Sequence, residues 1–172
     1  HTANRRQRQM CIRDRAGTRQ PRILLTSREG HGRLRRLQEQ LDWPVLVQEQ
    51  EAYLLPNVEP LECFKDEHTT ASGLRLLWTP GPTPGSAVVL APAPVELLFC
   101  GRLLTPLAPG CLGPLRHGRT FHWPRQLASL TKLRSWIPPE ASPQLASGAA
   151  LGGLRGERLV PFSGWSAQSI TP

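Results

Sequence analysis

Side chains able to do chemistry gather at a few places in this chain. Thr26-Ser27-Arg28-Glu29-Gly30-His31 puts hydroxyls, a carboxylate and an imidazole within six positions. Glu29 has the type of a general base, Ser27 of a nucleophile and His31 of a metal ligand. No His–carboxylate pair is evident to activate Ser27, so Thr26 and Ser27 read better as helix N-caps. A lone carboxylate in a turn is more often solvated or set against a helix N-terminus, and His31 falls on an apolar helix face with Leu34. Arg102 follows the apolar run Leu97-Leu98-Phe99-Cys100-Gly101. The segment Arg116-His117-Gly118-Arg119-Thr120-Phe121-His122-Trp123 is basic and aromatic. It suits an anion or a nucleotide base, or equally a loop covering the edge of the fold; no Gly-rich phosphate cradle accompanies it, which favours the loop. The four cysteines (Cys11, Cys63, Cys100, Cys111) have neither CxxC nor zinc-ribbon spacing, which makes them free thiols.

These residues need elements to position them. Arg22–Thr26 reads as a short strand, and a helix follows with His31, Leu34, Leu37 and Leu41 on one face. Trp43-Pro44 breaks it, and Val45–Val47 is the next strand. A strand–helix–strand unit favours parallel pairing. Residues 48–73 are polar and irregular apart from a short helix at Glu49–Leu54. The runs Leu74–Trp78, Ala87–Leu90 and Glu96–Cys100, bounded by Pro and Gly, read as an antiparallel meander. A Pro/Gly-rich loop spans Thr105–Pro114. Pro124 opens a second helix with Leu127, Leu130, Leu133 and Ile137 inward, ended by Pro138-Pro139. A last strand is expected at Gln144–Ala146.

Three segments, in order, resemble the metallo-β-lactamase superfamily of glyoxalase II-like hydrolases. Leu25-Thr26-Ser27-Arg28-Glu29-Gly30-His31-Gly32 stands where the family has T-H-x-H-x-D-H or L-T-H-R-D-H-x-G. Gly73-Leu74-Arg75-Leu76-Leu77-Trp78-Thr79-Pro80-Gly81-Pro82-Thr83-Pro84-Gly85-Ser86 is close to the family's G-x-x-x-x-x-x-T-P-G-H-T-P-G-S. Leu97-Leu98-Phe99-Cys100-Gly101-Arg102 stands at the strand ending in G-D, and Ala146-Ser147-Gly148 at the S-H-G-like end. The middle segment is the specific one. The resemblance implies an α/β fold, a partial αββα sandwich of mixed sheet with flanking helices, over 22–151 and lacking its early strands. Residues 1–21 are expected to be a disordered or extraneous basic segment, and 152–172 a loose tail.

The family holds zinc at this site. Here Ser27 and Gly30 stand at its His positions, Glu29 at its Asp, Pro82 at the next His, Arg102 at the bridging Asp, and Ser147 or Gly148 at the last His. Proline and glycine offer no ligand. Arg102 places a fixed positive charge where cations would sit, and either pairs with Glu29 or binds an anion. Only Glu29 and, with a one-residue slip, His31 remain capable of ligation. The shaping residues Gly81, Pro84, Gly85 and Gly101 are present while the ligands are not. The expectation is therefore a vestigial pocket of Ser27, Glu29, Gly30, His31, Pro82, Arg102 and Ser147, with no catalytic residue and no cofactor.

Charge narrows the partners. The formal net charge is +8, but residues 1–36 hold 11 arginines against two acids, and the remainder is close to neutral. A nucleic-acid-binding face spreads its basic residues and interleaves aromatics; residues 1–22 contain no aromatic. No run reaches the roughly 18 apolar residues of a membrane span, and no signal peptide is evident. The sequence therefore reads as a soluble, cytoplasmic, non-catalytic metallo-β-lactamase-fold protein that binds a small molecule or a protein. The alternatives are a residual metal-dependent hydrolase of an ester or thioester, and nucleic-acid binding through the basic N-terminus.

Overall fold

Apolar residues on two faces of one short strand organise the first half of the molecule. In the computed structural model, which describes residues 21–149, 151–166 and 168, β1 (Ile23–Leu25) runs parallel to β2 (Val45–Gln48), and α1 (His31–Leu41) crosses between them. All four residues of β2 are buried. Val45 and Val47 face the helix side with Leu25, Leu34 and Leu55. Leu46 points the other way, onto Phe64, Leu76, Ala87 and Val89. This follows from the alternation of side chains along a strand. α1 stops at Asp42, in the left-handed region at φ 55, with its N–H donating to Gln38 O at 2.7 Å.

α1 departs from its expected face. Leu37 is 41% exposed, whereas Gln38 is buried because its Nε2 donates to Glu59 O at 2.7 Å. The amide satisfies a loop carbonyl where a leucine would leave it unpaired. The stretch expected to be irregular also holds more structure. After α2 (Glu49–Ala52), β3 (Leu61–Phe64) pairs parallel with β2, and β4 (Glu67–Thr69) joins the second sheet. β3 is an edge strand with Glu62 and Cys63 exposed, so it has too few apolar residues to show in the sequence.

The second sheet contains the expected meander, β5 (Arg75–Trp78), β6 (Ala87–Ala91) and β7 (Leu97–Gly101). β10 (Gln144–Ser147) adds in parallel to β7, giving the order β10-β7-β6-β5-β4. The segment expected as a loop at 105–114 is a hairpin, β8 (Thr105–Ala108) and β9 (Cys111–Gly113). On the outer face lies α3 (Trp123–Trp136), capped by His122 Nδ1, which accepts from Arg125 N at 3.2 Å. Its Leu130 and Leu133, with Ile137 at the C-cap, pack on Leu77, Val88, Leu90, Leu98 and Cys100. Each such side chain contributes about 1.5–3 kcal/mol on burial. The layers are helix, sheet, sheet, helix: a partial αββα sandwich whose first sheet is all parallel and whose second is mixed.

The loose tail expected from 152 is corrected over its described part. Leu154, Val160 and Trp165 are buried in the outer core. Val160 and Leu145 exchange N–H···O bonds at 2.7 and 3.0 Å, so the segment covers the otherwise open edge of β10. The basic segment 1–21 lies, apart from Pro21, outside the described residues. No helix among the described residues is long and apolar enough to cross a membrane.

Candidate functional site

The loops at one end of the sandwich meet in an open cavity of about 280 Å³, lined among others by Glu29, Pro82, Arg102, His117, Arg119 and Thr120. Each wall has its own local reason. The first loop leaves β1 with Thr26 O accepting from Ala87 N at 2.9 Å, then turns through a 3-10 segment, Arg28–Gly30. The second, Thr79–Ser86, closes on itself: Thr79 N donates to Ser86 O at 2.8 Å and Thr83 N to Ser86 Oγ at 2.9 Å. Trp78 Nε1 donates to Pro84 O at 2.8 Å. Gly81 sits at φ 147 directly against the backbone of Gln126, where a side chain has no room.

Glu51 joins these two loops from behind. It is fully buried, and its Oε1 accepts from Gly85 N at 3.1 Å and from Arg28 Nε at 3.3 Å. At the end of β7, Gly101 takes φ 55 and turns Arg102 into the cavity. Arg102 Nη1 donates to Glu29 Oε1, an ion pair between two sides of the cavity. The β10 end lies alongside, with Gly148 N donating to Gly101 O at 2.7 Å.

Of the seven residues expected to form a pocket, Glu29, Pro82 and Arg102 line it. Ser27, Gly30, His31 and Ser147 do not. Ser27 stands, extended, at the N-cap of the Arg28–Gly30 turn as expected, but its side chain makes no capping hydrogen bond. Gly30 packs closely on Leu25. Ser147 Oγ is turned inward and donates to Leu104 O at 2.8 Å, leaving its neighbours Gly148 and Ala149 on the cavity wall. His31 Nε2 is buried without a partner, as is Glu51 Oε2. Burial pulls the His31 pKa below its ordinary value; Glu51 opposes that shift and Arg28 adds to it. Burial likewise pushes the Cys100 thiol up to about 12, against a backbone hydrogen bond involving Ala146.

Sequence reasoning treated the 116–123 segment as a covering loop, yet it supplies the far wall. Phe121 N donates to Pro82 O at 3.2 Å and His122 N to Gly81 O at 3.0 Å, which hangs the loop on the second motif. Within it, His117 N donates to Thr120 Oγ1 at 3.0 Å and Arg119 N to His117 Nδ1 at 3.2 Å. The signal was its density of basic side chains.

With this architecture the chain has the metallo-β-lactamase fold. Solved structures it resembles include VMB-1 at pH 5.5 (17% identity, TM-score 0.65, 95% of this chain and 72% of that one). TTHA1623 in a di-iron-bound form matches at 23% identity and TM-score 0.59, over 87% of this chain and 81% of that one. BLEG-1 B3 metallo-beta-lactamase matches at 19% and 0.59, over 90% and 78%. No family model matches the sequence, and neither does any curated protein.

These neighbours correct the expectation of no cofactor. TTHA1623 was solved with iron bound and BLEG-1 is a metallo-beta-lactamase, so a metal cofactor goes with this fold. The donors of this chain are a separate matter. No group of three or more His, Cys, Asp or Glu able to hold an ion is assembled among the described residues. In the cavity, Glu29 and His117 are the side chains of ligating type, and they share it with the guanidinium groups of Arg102 and Arg119. That donor set does not fit a dinuclear centre, which needs several imidazole or carboxylate ligands per ion.

Proposed function

We propose that this chain is a non-catalytic binding module built on the metallo-β-lactamase fold, and that its ligand is a small molecule held in the cavity at the loop end of the sandwich. The observation carrying this reading is the Arg102–Glu29 ion pair inside that cavity. The resemblance puts a bridging carboxylate at 102, where this chain has a guanidinium. A cation there repels a second cation and leaves a hydrolytic water nothing to activate it. Ser27, Gly30, Pro82 and Ser147, at the other ligand positions, supply no imidazole. Pro82 and Glu29 are then residues of a vestigial site that now shapes a binding surface.

Two assays on the purified chain, each with and without added zinc or iron(II), test this. Activity on a thioester and on an aryl ester is expected to stay at the buffer rate. Saturable turnover that rises with metal and is removed by chelation overturns the reading in favour of a metal-dependent hydrolase.

A further inference from the structure

Two cationic segments line the cavity, one on each side of the β8–β9 hairpin in the sequence. One is Arg102 at the end of β7; the other is the 116–123 loop, with Arg119 and His117. Arg102 is mostly buried, with 17% of its side chain exposed, and its Nη1 alone is bound to Glu29. The rest of that five-donor fork has no acceptor among the described residues. Arg119 pairs with no carboxylate there either. His117 uses Nδ1 on the loop backbone, which leaves Nε2 free, and Thr120 Oγ1, which accepts from His117 N, keeps its O–H to donate.

Resting on the binding-module reading, we propose that the cavity recognises the oxyanion headgroup of a small molecule, a phosphate or a carboxylate, between Arg102 and Arg119. Guanidinium groups match both headgroups through paired N–H donors. With Glu29 counted, the cavity has one cation in excess at neutral pH, so an anion enters with net attraction. A volume near 280 Å³ lies just below the range of about 300–1,000 Å³ usual for ligand pockets and accommodates a headgroup with a short organic stem. Glu29 acts as an internal competitor: its carboxylate occupies part of the fork that the ligand uses.

Calorimetric titration of the full chain with inorganic phosphate and, separately, with succinate tests this at low and at moderate salt. Binding of either is expected, weakening with salt as screened charges require. Arg119 is exposed, so Arg119→Ala leaves the fold intact and is expected to weaken binding about tenfold, the value of one charge-assisted hydrogen bond. Glu29→Gln frees Arg102 and is expected to tighten binding several-fold, a gain that a purely structural role for Glu29 does not produce. Preference for one probe identifies the headgroup. No heat with either probe at 10 mM, or binding that both substitutions leave unchanged, overturns the proposal. Such an outcome leaves the non-catalytic reading intact, because that reading falls only to turnover.

Discussion

Glu51 shows how much a single buried carboxylate can organise. It has no exposed surface, and its Oε1 holds Gly85 N and Arg28 Nε together, so the first and second loops of the cavity share one anchor. His31, two residues from Glu29, packs behind the same turn with Nε2 unpartnered. Its lowered pKa has a consequence for stability. The unfolded chain protonates His31 near pH 6.5, while burial keeps the folded chain from doing so until lower pH. Between those two values the unfolded state binds more protons, so stability falls as pH drops. Urea denaturation between pH 7.5 and 5 is expected to show this decline, and His31→Gln to flatten part of it. Equal slopes in the two proteins mean that His31 is solvated in the folded state.

At the scale of elements, the contact between the second loop and α3 decides whether the cavity has a far wall. Gly81 at φ 147 lies so close that a Cβ there would come within 2.4 Å of Gln126 Cα. The carbonyls of Gly81 and Pro82 carry the loop before α3, and Ser129 Oγ donates to Pro80 O at 2.7 Å. Gly81→Ala therefore forces α3 away from the sheet as well as straining the backbone, and is expected to cost about 3 kcal/mol or more. Chemical denaturation measures the loss; a shift under about 1 kcal/mol means the loop and helix can separate without penalty. The control is Gly118→Ala, on an open stretch of the same wall, where little change is expected.

Across the whole molecule, the C-terminal segment is part of the core. Leu154, Val160 and Trp165 are buried in the cluster that α3 covers, and Arg134 stacks its guanidinium 4.8 Å from the Trp165 ring. Removing everything after Ala149 exposes that cluster and the edge of β10. Three large apolar side chains at about 1.5–3 kcal/mol each approach the whole stability of a small domain, about 5–15 kcal/mol. The truncated chain is expected to lose cooperative thermal unfolding in calorimetry, and a Tm within a few degrees of the full chain's contradicts this assignment. The basic residues at the N-terminus make a separate charge region on a near-neutral body, and deleting residues 1–20 is expected to leave anion binding in the cavity unchanged.

Local chemistry made much of this architecture legible from residues alone. Short apolar runs at Val45–Val47 and Leu74–Trp78, prolines at 44, 124 and 138, and Gly81 and Gly85 in the T-P-G-x-T-P-G-S loop act over a few neighbours, so local pattern and turn preference expose them. The ion pair of Glu29 with Arg102 was the simpler of two alternatives at that level, because the family resemblance set both residues at ligand positions of one pocket although they stand 73 positions apart. What only the tertiary structure decided was non-local. Leu37 faces out because Gln38 meets a carbonyl of another loop, and β3 exists because β2 offers it an edge. The tail is ordered over its described part because β10 needs a partner. The 116–123 loop became a cavity wall for the same reason: its backbone donors are satisfied by Gly81 and Pro82, about 40 residues earlier in the chain, and buried backbone groups take their partners wherever the fold supplies them.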